Sequence, residues 1–242
     1  MRLVLNRPGS HNALTPEMLF GVAEAVKDAT ADPGVHSVSI EGSGERAFSS
    51  GFDIKVLAAL GDAAHSGDPL DVATDALVSC PKLTIAAIRG HCLGAGLELA
   101  MACDFRIAAA GSHFAVPATR LGTVYRPRAI GRFFAVLGPS VTKALFVAGR
   151  DLGADEALRA GIISEVVEPE DLEQAVAGWA KVPENGQGAA AAHKRIIDAL
   201  AGTADRSAGF WAPFDELRDL SVNSPERNAA IQSFARGEVA EG

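Results

Sequence analysis

A short apolar run, a glycine-rich turn and a helix of small apolar residues follow one another in one stretch of the chain. Leu83 to Ile88 contains β-branched residues and is typical of a buried strand. Gly90, Gly94 and Gly96 allow a sharp turn, because a residue without Cβ adopts backbone conformations that others avoid. Residues 97–103 are apolar almost all round, as in a buried helix. The pattern predicts a strand that leads through a glycine turn into a helix N-terminus.

This turn and Glu98 together form a candidate chemical site. The first amide groups of a helix have no partner within it, so they can bind an anion or a carbonyl oxygen that gains negative charge. Glu98 falls in the first helical turn, which brings its carboxylate near the same opening. The structural alternative is that the glycines only permit close packing and that Glu98 complements the helix dipole. The pattern alone leaves both interpretations open.

A second segment of the same kind comes earlier in the chain. Residues 47–55, Ala-Phe-Ser-Ser-Gly-Phe-Asp-Ile-Lys, follow a predicted strand at 35–41 and pass through Gly51 toward a predicted helix. Phe52 and Ala95 hold equivalent places in the two turns. Two such turns side by side can each offer one amide N–H to a single oxygen.

Residues 47–55 and 90–104 resemble the crotonase family, also called the enoyl-CoA hydratase/isomerase family. The resemblance extends to several other positions in family order: Leu5-Asn6-Arg7-Pro8, Asn12-Ala13-Leu14, Phe114, Pro117, Leu121-Gly122 and 154–166. It implies an α/β, crotonase-like (ClpP/crotonase) fold, which is a spiral of β-β-α units followed by a C-terminal helical trimerisation region. The expected division is an α/β core over residues 1–187 and a helical region over residues 188–242.

The resemblance also implies which residues do the chemistry. The amides of Phe52 and Ala95 would form an oxyanion hole for the thioester oxygen of an acyl-CoA, and Glu98 would move a proton. The residues expected to bind the substrate or its coenzyme A are Arg7, Gly51, Asp53, Ile54, Lys55, Gly94, Ala118 and Tyr125. Coenzyme A is part of the substrate, so neither a separate cofactor nor a metal is expected. Asp53 as a helix cap and Lys55 as a solvated lysine remain open alternatives.

One position departs from the family pattern. Crotonase hydratases use two glutamates, and the second belongs in a Pro-Glu pair where this chain has Pro117-Ala118. No residue between Ser112 and Arg132 is acidic. One acid/base group typically contributes a factor of about 10²–10⁴ in rate, so the substitution calls full hydratase activity into question. Three nearby arginines either hold an anionic acyl group or form a solvated cluster: Arg120, Arg126 and Arg128.

Three functions remain open. The first is an enoyl-CoA hydratase or isomerase of fatty-acid or related acyl metabolism, a lyase or isomerase in which Glu98 alone moves protons. The second is an acyl-CoA decarboxylase, because Tyr125, the only tyrosine in the chain, matches the place where methylmalonyl-CoA decarboxylase presents one. That enzyme has a histidine where this chain has Phe52, and a lone tyrosine also serves in packing. The third is a protein that binds acyl-CoA without turning it over.

Composition argues against several other classes. The net charge is −8 and the lysines and arginines form no cluster typical of nucleic-acid binding, so nucleic acid is not expected as a partner. The three cysteines lack paired spacing, which is typical of reduced thiols in the cytoplasm, and the six histidines lack metal-ligand spacing. No apolar run approaches membrane-spanning length, so no membrane partner is expected. We therefore expect a cytoplasmic enzyme, which the resemblance implies to be a homotrimer or hexamer.

Periodicity and capping residues predict the remaining elements. Thr15-Pro16 is a helix start, and residues 58–71 form either a surface loop or a lid that orders when substrate binds. Further helices are predicted at about 69–79, 130–137, 140–148, 170–181, 189–200, 210–220 and 224–234.

Overall fold

The structure is a computed structural model and describes residues 1–53, 68–181 and 186–201, with a few single positions after residue 218. Five strands form a parallel sheet in the order β1-β2-β4-β6-β9, and four form a second sheet in the order β3-β5-β7-β8, where β8 is antiparallel to β7. The strands are β1 (Arg2–Leu5), β2 (Ser37–Gly42), β3 (Ala47–Ser49), β4 (Leu83–Ile88), β5 (His91–Leu93), β6 (Phe105–Ala109), β7 (His113–Ala115), β8 (Asp151–Gly153) and β9 (Glu165–Val167).

The helices begin at residues that cap them well. Thr15 accepts a hydrogen bond from the Met18 amide ahead of α1, and Asp68 accepts one from the Leu70 amide ahead of α2. Both caps are followed by proline, which suits the first helical position because it lacks the amide hydrogen. The described helices are α1 (Pro16–Ala31), α2 (Pro69–Ser79), α3 (Ala95–Met101), α4 (Pro127–Phe146), α5 (Ala154–Arg159), α6 (Leu172–Trp179) and α7 (Gln187–Ala201).

The chain winds as a spiral in which successive turns add one strand to each sheet. The first strand of each pair joins the large sheet and the second joins the small sheet, for the pairs β2-β3, β4-β5 and β6-β7. Helix α3 follows β5, and α4 follows β7. The β-β-α spiral that the family resemblance implied is therefore confirmed. Because β3 and β5 are parallel neighbours, their carboxyl ends lie at the same edge of the small sheet. The segments that leave these two strands consequently start side by side.

Apolar side chains cover both faces of the large sheet. On one face Ile40 and Ile88 belong to the main core, which also contains Phe48 and Leu97. On the other face a smaller cluster forms under α6, around Ile107. All seven residues of α3 are buried, which agrees with its apolar sequence. Burial on all sides fixes the position of this helix relative to the strand that precedes it.

Helix α4 consists of two helical halves, in agreement with the two helices predicted at 130–137 and 140–148. Its two halves join at Gly138, whose φ of 67° is not helical, and Pro139 begins the second half. In the described part of the chain it is also the one helix that length and composition would allow to cross a membrane, which the sequence analysis did not anticipate. Phe133 and Leu145 on this helix lie in the main core.

The three-residue strands β5 and β8 were not predicted, because their pairing depends on neighbours from distant parts of the chain.

The C-terminal helix α7 was predicted, and its Lys194 forms an ion pair of 2.7 Å with Asp104 at the end of the central helical segment. Nearly all of the predicted loop at 58–71, and the helices predicted at 210–220 and 224–234, lie outside the described residues. The division of the chain at residue 187 stays a prediction.

Substitution of Gly90, in the turn between β4 and β5, tests how tightly this turn packs against the neighbouring backbone. It has a φ of 67°, and a Cβ there would lie 2.1 Å from the carbonyl oxygen of Arg46. Gly111 has a similar φ of 81°, but a Cβ there would meet nothing within 4 Å. We expect Gly90→Ala to lower the free energy of unfolding by about 3 kcal/mol or more, and Gly111→Ala by about 1 kcal/mol. Equal losses in urea denaturation would contradict this account of the turn.

Candidate active site

The two turns predicted to work together lie against each other. Each contains a glycine in a conformation that other residues rarely adopt, with φ of 98° at Gly51 and 55° at Gly94. A Cβ on Gly51 would lie 3.4 Å from the Ala95 nitrogen, and a Cβ on Gly94 would lie 4.0 Å from the Gly51 Cα. Glycine is therefore favoured at both positions by its φ, and at Gly51 also because a Cβ would lie 3.1 Å from the Leu93 carbonyl oxygen.

The amides of Phe52 and Ala95 have no hydrogen-bond partner among the described residues. Leu14 donates its amide to the Gly51 carbonyl and accepts from the Asp53 amide, so the amide of Phe52 between them points away from Leu14. Ala95 is the first residue of α3, where an amide has no acceptor within the helix. Two unpaired donors thus belong to two adjacent turns.

Glu98 lies one helical turn after Ala95 and is almost fully buried, with 1% of its surface exposed. Burial raises the pKa of its carboxyl from the ordinary 4.5 to about 7, although nearby Arg126 and Arg132 oppose this shift. Arg126 Nη2 lies 3.1 Å from Glu98 Oε1, and Arg132 Nη1 lies 3.5 Å from the same oxygen. Oε2 has no hydrogen-bond partner in the described ranges. A carboxyl with a pKa near 7 can both accept and donate a proton at neutral pH.

The two arginines belong to a larger ion-pair network between α2 and α4. Arg126 Nη1 lies 2.6 Å from Oδ2 of both Asp68 and Asp71. Arg132 Nη2 lies 3.7 Å from Oδ1 of Asp75. We use the term ion-pair network for six side chains: Glu98, Arg126, Arg132, Asp68, Asp71 and Asp75. Arg126 and Arg132 are each only 13% exposed, so solvent screens these pairs less than it screens surface ion pairs.

Tyr125 and Pro117 border the turn at Gly94, and Ala118 follows Pro117 in the chain. The Tyr125 hydroxyl lies 3.1 Å from the position of a Cβ on Gly94, and no hydrogen-bond partner for it is found among the described residues. Its ring packs edge-on against Phe146 at 5.3 Å, and burial raises its pKa, so the hydroxyl stays protonated at neutral pH. Ala118 is buried and has a methyl group where the family pattern has a carboxylate.

Arg7 and Asp53 form an ion pair rather than presenting separate charges. Arg7 Nη1 lies 3.0 Å from Asp53 Oδ2 and donates to the Ala13 carbonyl at 2.7 Å. The pair joins the start of the chain to the turn at Gly51. Their predicted contacts with coenzyme A stay a prediction. Ile54 and Lys55, predicted to bind the substrate, lie outside the described residues.

The arginines that follow Ala118 do not form one cluster. Arg126 points into the ion-pair network, Arg128 pairs with Asp75 at 3.0 Å, and Arg120 lies near the Gly149 carbonyl at the surface. The cations closest to Glu98 are thus already paired with carboxylates, which argues against their holding an anionic acyl group.

The sequence analysis did not identify Arg132 or the aspartates of α2 as part of the site. A signal was present, because Asp68, Asp71 and Asp75 follow the three- and four-residue spacing of one helix face. Arg128 and Arg132 have the complementary spacing on α4. Which helix faces which is decided by the fold, and local spacing does not reveal it.

An open depression of about 720 Å³ lies between β9 and α6. It is lined by Glu165, Asp171, Gln174, Ala175, Gly178 and Trp179. None of the predicted site residues lines it, and α6 covers the face of the large sheet opposite the main core. We therefore place the candidate site at the two turns and Glu98.

Comparison with known proteins identifies the family of this chain. The family model described as enoyl-CoA hydratase/isomerase matches residues 1–210. The chain belongs to the enoyl-CoA hydratase/isomerase family. Among relatives in this family, the crotonyl-CoA hydratase of Syntrophomonas wolfei is 37% identical over 172 residues, covering 70% of this chain and 66% of that protein. The carnitinyl-CoA dehydratase of Salmonella arizonae is 36% identical over 174 residues, covering 71% and 66%. The match therefore spans slightly less than two thirds of each relative.

Solved structures of the family cover nearly the whole chain. An enoyl-CoA hydratase/carnithine racemase from Magnetospirillum magneticum has a TM-score of 0.78 and 31% identity, over 98% of this chain and 89% of that one. A methylmalonyl-CoA decarboxylase in complex with 2-nitronate-propionyl-CoA has a TM-score of 0.88 and 25% identity, over 100% and 94%. The crotonase fold is thus shown for this chain, and the family includes structural neighbours named for more than one reaction.

Proposed function

We propose that this family member is an enoyl-CoA hydratase/isomerase that binds the thioester oxygen with the amides of Phe52 and Ala95 and uses Glu98 as its one acid/base group. The proposal is carried by the arrangement of three groups. The amides of Phe52 and Ala95 have no hydrogen-bond partner among the described residues and lie in adjacent turns, and Glu98, a buried glutamate with a pKa near 7, lies one helical turn after Ala95. The hydratase and dehydratase names of the relatives support it.

The proposed chemistry follows from charge. When water adds to the double bond of an enoyl-CoA, negative charge develops on the thioester oxygen. Two fixed N–H donors stabilise that charge more than they stabilise the neutral carbonyl, which lowers the barrier. Glu98 accepts the proton of the attacking water, and the same carboxyl returns a proton to carbon two. This sequence uses hydrogen bonds and proton transfer only, so the proposal includes no metal and no redox cofactor.

A second candidate, an acyl-CoA decarboxylase, is favoured by Tyr125. Its hydroxyl lies beside Gly94, close to the second amide, and a decarboxylase with bound ligand is among the structural neighbours. Decarboxylation needs a cradle for the enolate and an apolar pocket for the carboxylate more than it needs a base, so Ala118 would suit it. The third candidate, an acyl-CoA-binding protein without turnover, is supported by Ala118 alone.

One experiment separates the three candidates. Purified protein is incubated in parallel with crotonyl-CoA and methylmalonyl-CoA, and hydration and decarboxylation are followed, while binding of butyryl-CoA is measured by calorimetry. Our proposal expects hydration of crotonyl-CoA. Decarboxylation without hydration would assign the second function, and binding without either reaction would assign the third.

We also propose a homotrimer or hexamer in the cytoplasm. Three apolar side chains of α7 are exposed in the single chain and would be covered in such an assembly: Ile196, Ile197 and Leu200. Light scattering of the purified protein measures the assembly directly.

The three cysteines are free and buried, in agreement with a reducing compartment.

The departure at residue 118 gives a prediction of its own. Ala118→Glu should raise kcat for crotonyl-CoA hydration by about tenfold or more, because it returns a second acid/base group to the site. The gain should not exceed the factor of about 10²–10⁴ that one acid/base group typically contributes. Ala118→Gln, of nearly the same size but without the charge, is the matched control. A wild-type protein as fast as Ala118→Glu would contradict the view that a second carboxylate is missing.

A further inference from the structure

Glu98 is held by charged groups that the proposed reaction does not itself use. The arginine contacts all go to Oε1, from Arg126 at 3.1 Å and Arg132 at 3.5 Å. Arg126 is fixed on its other side by Asp68 and Asp71, and both of those contacts are 2.6 Å. One guanidinium therefore bridges the buried glutamate and the first turn of α2.

The ion-pair network contains more negative than positive charge. Arg126 faces three carboxylates, and Arg132 faces Glu98 and Asp75. Asp75 also pairs with the exposed Arg128, which lies outside the network, so the network itself has four carboxylates and two guanidinium groups. Glu98 is the most buried of the four carboxylates. An excess of negative charge is relieved most easily by protonating the carboxyl that water solvates least.

We propose that Arg126 is a positioning residue which, held in place by Asp68 and Asp71, decides by its charge how readily Glu98 gives up its proton during the reaction. The inference rests on the proposed role of Glu98 as acid and base. In an enzyme with a single acid/base carboxyl, that group must be ionised to accept the proton of water and must then return one. Burial favours the protonated form and Arg126 favours the ionised form, so together they keep Glu98 between these two states.

The charged groups facing Glu98 predict opposite effects for two substitutions. Among the described residues these groups are Asp68 and Asp71 from α2 and Arg126 and Arg132 from α4, with neutral Tyr125 nearby. Loss of Arg126 removes an attraction for the ionised form and leaves two aspartates uncompensated, so both effects make Glu98 harder to ionise. Loss of the Asp71 charge removes a repulsion and makes Glu98 easier to ionise.

The test follows the ionisation of Glu98 in two independent ways. The first is a ¹³C NMR titration of the labelled carboxyl, assigned by comparison with Glu98→Gln, and the second is the pH profile of kcat/KM for crotonyl-CoA. We expect Arg126→Gln to move the midpoint up by about one pH unit and Asp71→Asn to move it down. At pH 7 the ionised fraction in Arg126→Gln falls from about one half to about one tenth, which predicts a roughly fivefold loss of kcat/KM that is recovered by pH 9.

Two further variants separate this role from a structural one. Arg126→Lys keeps the charge without the forked geometry and should restore the midpoint at least in part. Arg128→Gln removes an exposed arginine next to the network and should titrate like the wild type. A loss of activity that is equal at all pH values would overturn the proposal, and so would Arg126→Gln and Asp71→Asn midpoints equal to that of the wild type.

The two proposals fail in different ways. If the NMR midpoints shift as expected but the wild type hydrates no crotonyl-CoA, Arg126 controls the ionisation of Glu98 and the proposed function is wrong. If the wild type hydrates crotonyl-CoA but the NMR midpoints do not move, the inference about Arg126 is wrong alone. Asp71→Asn keeps the test decisive if Arg126→Gln does not fold, because its shift has the opposite sign.

Discussion

Glu98→Gln should lower kcat for crotonyl-CoA hydration by a factor of about 10²–10⁴, the usual contribution of one acid/base group. Gln has nearly the same shape and keeps an oxygen that Arg126 and Arg132 can donate to, so the fold and the ion-pair network should persist. The affinity for butyryl-CoA, which has no double bond to hydrate, should change by no more than a few-fold, because Glu98 is proposed to act on water and not on the thioester. Steady-state kinetics and calorimetry on the same preparation measure both quantities.

A matched control keeps the carboxylate and moves it. Glu98→Asp retains the acid/base group about one bond farther back, and it should retain more activity than Glu98→Gln. If Glu98→Gln keeps more than a tenth of the wild-type kcat, Glu98 is not the acid/base group. A neighbouring carboxylate of the ion-pair network would then have to move the proton.

Ala95→Pro should lower kcat by a factor of about 10²–10³, the usual effect of losing one donor to a developing oxyanion. Ala95 is the first residue of α3, where proline is well tolerated because its missing amide hydrogen has no acceptor in the helix. Gly94 before it has no Cβ to collide with the proline ring. The substitution therefore removes the proposed donor at a position where helix formation does not depend on it.

The control for this substitution keeps the amide hydrogen. Ala95→Gly should hydrate crotonyl-CoA within a few-fold of the wild type, and circular dichroism shows whether the proline variant is folded. If the proline variant does not fold, an ester in place of the amide at residue 95, introduced by semisynthesis, deletes the same hydrogen without adding a ring. A folded variant without this hydrogen that keeps more than a tenth of the wild-type kcat would contradict the proposed oxyanion hole.

The sequence predicted best what local rules control. Thr15-Pro16 was predicted as a helix start and its cap is present in the structure, and α2 spans the predicted residues 69–79. Gly51 and Gly94 have the positive φ values that their place in a sharp turn suggested. These features depend on a few consecutive residues, and the physical reason for each is visible in the sequence.

Contacts between distant segments were harder to predict. The strand β5 has only three residues, and it is a strand because β3 and β7 lie beside it. The pairing of Arg126 with Asp68 depends on the N-terminal ends of α2 and α4 meeting beside α3, which no local pattern specifies. The side-by-side position of the two turns was anticipated only through the family resemblance, and in the structure it follows from the parallel pairing of β3 with β5.

The surroundings of Glu98 favour hydration over decarboxylation of an anionic acyl group. Arg126 and Arg132 already pair with carboxylates, and together these groups have an excess of negative charge. A substrate carboxylate placed next to Glu98 would be repelled and would find no unpaired cation among the described residues of the network. Tyr125 could still act in either reaction, because its hydroxyl is neutral and lies beside Gly94.

The most direct test of the central claim is a crystal structure of the protein with 3-hydroxybutyryl-CoA, the product of crotonyl-CoA hydration. The account predicts that the thioester oxygen lies about 2.7–3.1 Å from the amide nitrogens of both Phe52 and Ala95, with the 3-hydroxyl group within hydrogen-bond distance of Glu98. A thioester oxygen that contacts neither amide, or a ligand that binds away from Glu98, would contradict it.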